Sequence, residues 1–561
     1  MRMHPPTVFA LRDVDGAEYS FPPSGPCLLA LVKEDCDTCN LTLPLLEAVH
    51  RSSNGGLDVW VAVQKTDDIP VLKARHDLTM PLLDDDALDL SYETDIDTVP
   101  TLFLYDETHE CRLQTFGFDK HEWREISGEA MALSGQPGRE IGVDWDQLPE
   151  QRPGCGARNY EPGVYERLQA LKSGDLLSRL VDLAADDDIH EFMYEQSYTD
   201  GFPVVPPTRE RAWKMLQGTE RDPQEEVAIM PPNLAPITVE KIAINAVMAG
   251  AKPEYLPAII SLVEIACSES FNIHGVLATT MGATPVGVFN GPIRDRIGMN
   301  YLHGALGSGN RANAAIGRAL RLCARNVGGS IPGGTDRATQ GGPHRLTMNF
   351  AENEDASPWE SLAVEYGFEP TDDVATLMAM SGGPATIADE RSRDGRGLAG
   401  TLAMSMSCMQ DPKSPMVDTL VVLSPDHAGI FGRSGWSKDD VRECIMEETS
   451  IPLKHRLRSD DAGCGLPPGI VERFGGEAAL DAPVPKFRDK SNIILVVAGS
   501  AAAKFSTILG GWAAGVYSTP TSAKIGPSGA LTIRGSRESD MDKRRSGGRD
   551  LGAFEPSLRR P

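Results

Sequence analysis

The sequence predicts an α/β protein in which a small N-terminal domain is joined to a larger α/β domain with a mixed or parallel sheet. Strand-type apolar runs alternate with helix-type stretches along most of the chain, the pattern of a sheet covered by helices. The length of 561 residues is sufficient for two or three hydrophobic cores. A stretch rich in Gly, Pro and charge, residues 134–165, separates the two parts.

Two cysteines at redox-motif spacing, Cys36 and Cys39, organise the N-terminal part. A strand-type run, 27–32, precedes them and a helix-type run, 41–47, follows, so Cys36 is predicted at a helix N-terminus. The free N–H groups and the positive end of the helix dipole there favour thiolate over thiol. Half of a zinc site is the alternative, but such a site needs a second Cys or His pair and the chain has no other CxxC. We therefore predict redox chemistry and no metal site.

Two further strand-type runs, 58–63 and 97–106, follow the CxxC, and the second contains Pro100. With these runs in place, residues 7 to about 133 resemble a thioredoxin fold of the TlpA-type branch. The resemblance implies that Cys36 is the attacking thiol, that Cys39 resolves, and that Pro100 is the cis-proline facing them. It also implies that Pro44 is the kink proline of the first long helix. The redox-active Cys36/Cys39 disulfide would then be the only redox group, and we predict no further cofactor.

The chain departs from the thioredoxin pattern at two positions. Asp35 stands where thioredoxins usually have Trp, and Ala30 replaces the buried Asp that assists proton transfer. Asp35 and Asp37 flank the nucleophile, and a nearby negative charge disfavours a thiolate. We therefore expect a modest reactivity of Cys36 and a dedicated role serving one partner.

Composition excludes several classes of function. A net charge of -26 argues against nucleic acid as a partner, because phosphate binding needs a basic surface. No apolar run reaches the roughly 18 residues of a membrane span, and the first residues lack the apolar segment of a secretory signal. Eight of the ten cysteines are scattered singly, unlike a secreted disulfide framework. These observations predict a cytoplasmic protein, and an oligomer is compatible with them.

The composition along the chain divides it into four regions. Residues 1–133 form the thioredoxin-like domain, and 134–165 have the composition of a linker. Residues 166–534 form the large α/β domain, which we expect to bind substrate, and leucines at helical spacing predict a helix over 164–185. The tail, 535–561, has almost no apolar residues and is predicted to be disordered.

The large domain shows helix and strand signals in alternation. Helices are predicted at 238–248 and 257–268, and a strand at 284–289. Two later segments, 419–427 and 493–500, are both apolar β-branched runs that lead into a helix-like stretch. We interpret them as two copies of one strand–turn–helix unit.

Polar residues that follow the 284–289 strand predict a site for a small anionic substrate. Ligands of α/β sheets bind at the carboxyl ends of strands, and a Gly-rich segment, 304–313, opens a helix predicted to reach Asn326. Arginines on that helix and at 294 could recognise a carboxylate or phosphate. The Gly-rich segment lacks dinucleotide or P-loop spacing, and a solvated face is the alternative for the arginines. The predicted substrate-binding residues are Asn290, Arg294, Asn300, Asn310, Arg311, Asn313 and Glu352.

Three residues of the large domain are candidates for chemistry. Glu352 lies in an acidic segment that could act in general acid–base catalysis, bind a metal or form a solvated turn. His427, at a predicted strand end, is the best general-base candidate, with a structural histidine as the alternative. Cys408 is the first choice for a partner thiol and Cys267 the second, with inert cysteines as the alternative.

The central region also resembles a known group of proteins. The segments 198–208, 245–250, 290–292 and 351–354 look like parts of large, poorly characterised bacterial proteins associated with the UGSC-type selenoprotein group. The UGSC tetrapeptide itself is absent from this chain. The resemblance therefore implies a thiol-linked bacterial enzyme and supplies no reaction.

These observations predict a thiol-dependent oxidoreductase in which Cys36 and Cys39 supply two electrons to the fused module, with a cellular dithiol as reductant. Tethering by a flexible linker would raise the effective concentration of the dithiol to about the millimolar range. Two alternatives remain open. The large domain could be a lyase or hydrolase using His427 or Glu352, with a regulatory dithiol, or the protein could be a non-catalytic binding or chaperone-like protein.

Overall fold

The computed structural model describes residues 5–6, 8–172, 176–184, 187–513, 518–526 and 533–535. The chain divides into two compact units, Met1–Ser173 and Gly174–Pro561. Except for Gly535, the predicted disordered tail, 535–561, lies outside the described residues. No helix in the described part of the chain is long and apolar enough to cross a membrane.

The first unit contains eleven strands and five α-helices among its described residues. The strands are β1 (Phe9–Arg12), β2 (Glu18–Phe21), β3 (Cys27–Val32), β4 (Asp58–Val63), β5 (Leu82–Asp84), β6 (Thr98–Val99), β7 (Thr101–Tyr105), β8 (Cys111–Phe116), β9 (Phe118–Asp119), β10 (Gln151–Arg152) and β11 (Cys155–Gly156). The helices are α1 (Asp37–Ser53), α2 (Ile69–His76), α3 (Asp89–Glu93), α4 (Lys120–Leu133) and α5 (Val164–Lys172).

The central sheet of the first unit has the strand order β5-β4-β3-β7-β8. β3 is parallel to β4 and antiparallel to β7, and all six residues of β3 are buried. Because parallel neighbours need a crossover, α1 connects β3 to β4. A βαβ unit followed by an antiparallel hairpin with a C-terminal helix is the thioredoxin-like fold, as predicted.

The segment 134–165, predicted to be a linker, is instead part of the first unit. β10 pairs with β9 and β11 pairs with β6. Ala157 is buried in the hydrophobic core of this unit, and Val143 and Trp145 pack against that core. The few apolar residues of the segment are spread among Gly and Pro, so its composition does not reveal that they pack. The helix predicted over 164–185 ends at Lys172, and two of its leucines, Leu177 and Leu180, are exposed.

The second unit contains twelve strands and twelve α-helices among its described residues. The strands are β12 (Glu226–Met230), β13 (Ala235–Thr238), β14 (Thr284–Asn290), β15 (Asn349–Ala351), β16 (Val374–Ala388), β17 (Thr419–Leu423), β18 (Ile451–Pro452), β19 (Pro483–Val484), β20 (Ile493–Val497), β21 (Phe505–Gly511), β22 (Thr521–Lys524) and β23 (Ile533–Gly535). The helices are α6 (Ile189–Glu195), α7 (Arg209–Leu216), α8 (Val239–Met248), α9 (Leu256–Cys267), α10 (Ile273–Ala278), α11 (Ile293–Arg296), α12 (Arg311–Asn326), α13 (Leu362–Glu365), α14 (Gly395–Ser407), α15 (Pro425–Arg433), α16 (Lys438–Glu448) and α17 (Leu453–Arg456).

The large sheet of the second unit is mixed, which is one of the two predicted arrangements, mixed or parallel. Its order is β15-β14-β16-β21-β17-β20, and β22 and β23 extend it from β16. β14 is parallel to β15 and β17 is parallel to β20, whereas the pairs between them are antiparallel. The predicted helices at 238–248, 257–268 and after 304–313 are confirmed as α8, α9 and α12, and Thr238 caps α8.

The sheet curls around an inner core. The N–H of Asn353, just after β15, donates to the carbonyl of Val497 at the end of β20 at 2.7 Å, which joins the first and last strands of the order. Six strands contribute to one buried cluster, which includes Val288, Phe350, Met378, Leu420, Val496 and Leu509. Helices cover the outer faces in two groups, α8, α9 and α12 on one and α14, α15 and α16 on the other.

The proposed duplication of a strand–turn–helix unit is wrong for its second copy. β17 leads into α15 as predicted, whereas β20 leads through a turn into β21 with no helix between them. β17 and β20 have similar sequences because both are buried central strands, and burial on both faces selects the same apolar β-branched residues.

Candidate active site

Cys36 caps the N-terminus of α1. Its backbone is extended (φ -107°, ψ 112°), and its sulfur accepts the N–H of Cys39 at 3.3 Å. The sulfur also lies 3.5 Å from the carbonyl oxygen of Val99, and the Val99–Pro100 peptide bond is cis, as the resemblance implies. Both cysteines of the motif are 0% exposed. Pro44 lies inside α1, also as implied.

The surroundings of Cys36 stabilise its thiolate. A hydrogen bond from the Cys39 thiol makes the largest contribution, and the Cys155 thiol and the N–H groups of Cys39 and Thr38 add to it. Together they outweigh burial and lower the pKa of Cys36 to about 5. Burial, followed by the hydrogen bond to Cys36, raises the pKa of Cys39 well above its ordinary value. At neutral pH the pair therefore holds a thiolate at Cys36 and a thiol at Cys39.

The flanking carboxylates do not have the expected effect on Cys36. Asp35 pairs with Lys33 at 3.4 Å and Asp37 with Arg152 at 3.0 Å. Both carboxylate side chains are largely exposed, so solvent and these cations screen their charges. The thiolate of Cys36 is therefore favoured more than the flanking carboxylates predict, and one contributor, Cys155, is distant in sequence. The modest reactivity of Cys36 stays a prediction.

Residues 150–157, which we call the strap, cross the dithiol. The N–H of Lys120 donates to the carbonyl of Glu150 at 2.9 Å, and the hydroxyl of Thr38 donates to the carbonyl of Pro153 at 2.7 Å. Further along, Cys155 pairs with Val99 in the β11–β6 ladder. The strap therefore runs over the N-terminus of α1 and along the strand that precedes Pro100.

Gly154 allows the strap to approach β6 closely. A Cβ at this position would lie 2.6 Å from the carbonyl oxygen of Val99 and would also clash with the side chain of Thr98. At Gly156, two residues on, a Cβ would meet nothing within 4 Å.

We expect Gly154→Ala to loosen the strap and to speed alkylation of Cys36 in the full chain. Overpacking of this kind costs about 1–3 kcal/mol, which corresponds to at least about a fivefold rise in the population of the displaced strap. The measurement is the rate of iodoacetamide labelling at Cys36, read by peptide mass. Gly156→Ala is the matched control and should leave the rate unchanged. Equal rates in the two variants would contradict a strap that covers Cys36.

Three of the predicted substrate-binding residues of the second unit meet at the carboxyl ends of β14 and β15. The Asn290 amide donates to Glu352 at 2.7 Å and to Glu354 at 2.9 Å, and Arg294 donates to the backbone carbonyl of Glu352 at 2.7 Å. Burial raises the pKa of Glu352. Among the described residues, Oδ1 of Asn290 and Oε1 of Glu352 are buried without a hydrogen-bond partner. Glu352 is thus not part of a solvated turn.

The other predicted substrate-binding residues bind the protein itself. Asn313 holds both backbone groups of Asn300, and Asn310 caps α12 through the N–H of Asn313. Arg311 donates to the carbonyl groups of Gly250 and Ala251. These side chains therefore satisfy loop and helix backbone, and an anion site at these positions stays a prediction.

His427 is a structural histidine rather than a general base. It is 0% exposed, and its ring nitrogens contact the Ser506 hydroxyl at 2.7 Å and the carbonyl of Asp389 at 3.1 Å. Burial lowers its pKa. Both nitrogens are occupied, so neither is placed to take a proton from a substrate.

The two candidate partner thiols lie in different environments. Cys408 is exposed at the end of α14. The Cys267 sulfur lies 3.9 Å from that of Met230, and burial raises its pKa to about 12. No group of three or more His, Cys, Asp or Glu side chains in the described ranges could hold a metal ion.

The strap cysteine, Cys155, is the site residue that sequence reasoning missed. It appears in the sequence as one of eight scattered cysteines, with no spacing that connects it to the CxxC. Only the folded structure shows its position, because β11 pairs with β6, which is more than fifty residues away along the chain.

The fold and the site together define the class of the first unit, a thioredoxin-like domain with a CxxC dithiol at a helix N-terminus. The similarity to solved structures covers the same N-terminal part of the chain. StoA from Bacillus subtilis is 22% identical, with 22% of this chain and 97% of StoA covered and a TM-score of 0.20.

Two other solved structures match over a similar length. A putative thiol:disulfide interchange protein DsbE from Chlorobium tepidum is 19% identical over 23% of this chain and 94% of its own, with a TM-score of 0.22. A secreted Mycobacterium tuberculosis disulfide oxidoreductase homologous to E. coli DsbE is 17% identical over 22% of this chain and 96% of its own, with a TM-score of 0.20. No family model matches the chain, and no curated protein matches it. The resemblance of the central region to the UGSC-type group stays a prediction.

Proposed function

We propose that the N-terminal unit is a thiol–disulfide oxidoreductase in which Cys36 attacks a disulfide and Cys39 resolves the mixed disulfide. The observation that carries the proposal is the position of Cys36: its sulfur caps the N-terminus of α1, accepts the N–H of Cys39 at 3.3 Å and lies beside the cis Val99–Pro100 bond. The pKa shifts agree with it, since the pKa of Cys36 falls to about 5 and that of Cys39 rises well above its ordinary value. The thiolate is the nucleophile in disulfide exchange, and a thiol of low pKa is also a good leaving group.

The reaction balances with the groups of this site. The Cys36 thiolate attacks one sulfur of the substrate disulfide, the substrate S–S bond breaks, and one substrate thiolate leaves. Cys39 then loses its proton and attacks Cys36, which releases the second substrate thiolate. The products are a Cys36–Cys39 disulfide and two substrate sulfur groups, which share the proton that Cys39 carried. Two electrons have passed to the substrate, and a cellular dithiol restores the enzyme by the reverse exchange.

The coupling between the two thiols orders these steps. Besides burial, the hydrogen bond to Cys36 and the negative charge of Cys36 raise the pKa of Cys39. Both contributions disappear when Cys36 enters a mixed disulfide, because that sulfur no longer carries a charge. Cys39 therefore becomes easier to deprotonate once there is a bond for it to attack.

We propose that the second unit binds the substrate that the Cys36/Cys39 dithiol of the same chain reduces. The cluster of Asn290, Arg294 and Glu352 supports a ligand site, since two buried acceptors in it have no partner among the described residues. Arg294 already pairs with Glu354 at 3.3 Å, so an added anion would compete with that carboxylate. A small substrate that donates hydrogen bonds is favoured over the anionic one for this reason.

Peptide mapping of the full chain tests the redox proposal. The reduced protein is treated with a limiting amount of oxidised glutathione, quenched with an alkylating agent and digested without reduction. We expect a disulfide at Cys36, chiefly to Cys39, while Cys408, the exposed candidate, is alkylated. Alkylation of Cys36 and Cys39 alongside oxidation of other cysteines would favour the binding-protein alternative.

A further inference from the structure

The register of the strap places a third thiol at the redox pair. Cys155 lies directly opposite Val99 in the β11–β6 ladder, and residues opposite one another in such a ladder have Cα atoms about 4.5–5.5 Å apart. The sulfur of Cys36 is 3.5 Å from the carbonyl oxygen of the same Val99. Cys155 and Cys36 are therefore neighbours of one peptide group, next to Pro100.

Contacts on both sides of Cys155 hold the strap in this register. On one side, Arg152 pairs with Asp37 and the carbonyl of Pro153 accepts the Thr38 hydroxyl, which fixes the strap to the first turn of α1. On the other side, the N–H of Ala157 donates to the carbonyl of Asp97 at 2.8 Å. The Cys155 thiol is thus held near Cys36 by backbone pairing and not by its own side chain alone.

The titrations of the two thiols are linked. The pKa of Cys155 is raised first by burial and then by the neighbouring Cys36, and the Cys155 thiol in turn helps to lower the pKa of Cys36. Cys39 and Cys155 are the two thiols among the described residues that stabilise the Cys36 thiolate in this way. They differ in access, because Cys39 is 0% exposed and Cys155 is partly exposed.

We propose that Cys155 is a second resolving thiol of Cys36, so that the chain forms a Cys36–Cys155 disulfide in exchange with Cys36–Cys39. The proposal rests on the redox function proposed above and adds a reacting residue to it. In the mixed disulfide, Cys155 loses a proton and attacks Cys36, the bond from Cys36 to the substrate sulfur breaks, and the substrate thiolate leaves. Cys39 then loses its proton and attacks Cys36, which returns Cys155 as a thiolate that takes up a proton. The second exchange moves a disulfide without any net transfer of electrons.

The alternative disulfide changes what the strap can do. When Cys36 is bonded to Cys155, the strap is covalently attached to the N-terminus of α1, and Cys39 is a free thiol beneath it. When Cys36 is bonded to Cys39, only non-covalent contacts hold the strap. Because the Cys36 sulfur takes part in both disulfides, its bonding partner determines whether the strap is covalently fixed over the site.

The test compares two variants of the full chain, Cys39→Ser and Cys39→Ser with Cys155→Ser. Each reduced protein is mixed with oxidised glutathione, quenched by alkylation at successive times and mapped by peptide mass. In Cys39→Ser, we expect the glutathione adduct on Cys36 to convert into a Cys36–Cys155 disulfide. In the double variant, the adduct should last at least about tenfold longer, because both resolving thiols are gone.

Control variants separate the possible failures. Cys39→Ser with Cys111→Ser should behave like Cys39→Ser, since Cys111 is a partly buried cysteine of the same unit that does not contact Cys36. Equal adduct lifetimes in the two test variants, with Cys155 alkylated, would overturn the role of Cys155 and leave the redox function intact. Absence of any adduct on Cys36 in both variants would overturn the redox function and this role together. Oxidised wild-type protein gives a check that needs no substitution, because exchange predicts a measurable Cys36–Cys155 population in it.

Discussion

Replacing Cys36 with Ser is expected to slow the reduction of oxidised glutathione by the full chain roughly a thousandfold or more, as is typical when a catalytic nucleophile is lost. The Ser hydroxyl stays protonated at neutral pH and does not attack a disulfide, whereas Cys36 is a thiolate with a pKa of about 5. Neither remaining thiol of the site compensates, because burial, which persists in the variant, is the largest cause of the raised pKa values of Cys39 and Cys155. The measurement is the turnover rate with a small dithiol as the electron donor.

Cys408→Ser is the matched control for this prediction. Cys408 is the exposed candidate thiol of the second unit, and its loss should leave the turnover rate unchanged. The opposite result, in which Cys408→Ser abolishes turnover and Cys36→Ser does not, would place the nucleophile in the second unit. A lyase or hydrolase activity of that unit would likewise survive in a chain that lacks both Cys36 and Cys39.

The pH dependence of Cys36 labelling gives the second large effect. The reactive form is the thiolate, so the rate of alkylation should rise as the pH rises through about 5 and level off above it. An ordinary cysteine, with a pKa near 8.5, reaches half of its maximal rate only around that pH. At pH 7 the thiolate fraction of Cys36 should exceed that of an ordinary cysteine by about thirtyfold.

Removing the strongest donor tests the cause of the shift. Cys39→Ala deletes the thiol hydrogen bond that contributes most to the lowered pKa, so the labelling midpoint of Cys36 should move to higher pH. Cys111 serves as an internal reference in every sample, since burial raises its pKa to about 11. A Cys36 midpoint near 8.5 in the wild type would contradict the assignment of the nucleophile. No movement in Cys39→Ala would contradict the Cys39 thiol as the main cause of the lowered pKa.

Those parts of the site that depend on local sequence could be predicted. The strand–CxxC–helix arrangement and the proline before β7 are contiguous signals, and the cap at Cys36 follows from them. The buried helices α8 and α12 are likewise visible from apolar spacing. Each of these features is signalled by residues that lie close together along the chain.

The parts that depend on tertiary pairing could not be predicted. The strap has two short strands in a segment rich in Gly and Pro, and its pairing with β6 carries Cys155 to Cys36 without any pattern in the strap itself. The predicted anion site illustrates how little residue type alone reveals. Asn300, Asn310 and Asn313 have the residue types of a polar site, but their partners are backbone groups that only the folded loop brings near. Residue type alone does not distinguish a side chain that binds ligand from one that closes a loop.

The pairing of β11 with β6 also bears on which molecules can reach the dithiol. An unpaired strand edge invites an extended peptide to add to it, but here the chain itself already fills the edge at Thr98 and Val99. A polypeptide that approached in extended form would have to compete with that built-in strand, whereas a compact low-molecular-weight disulfide would not. We therefore expect Cys36 to react faster with small disulfides than with extended polypeptides, and we expect this preference to weaken when the strap is displaced.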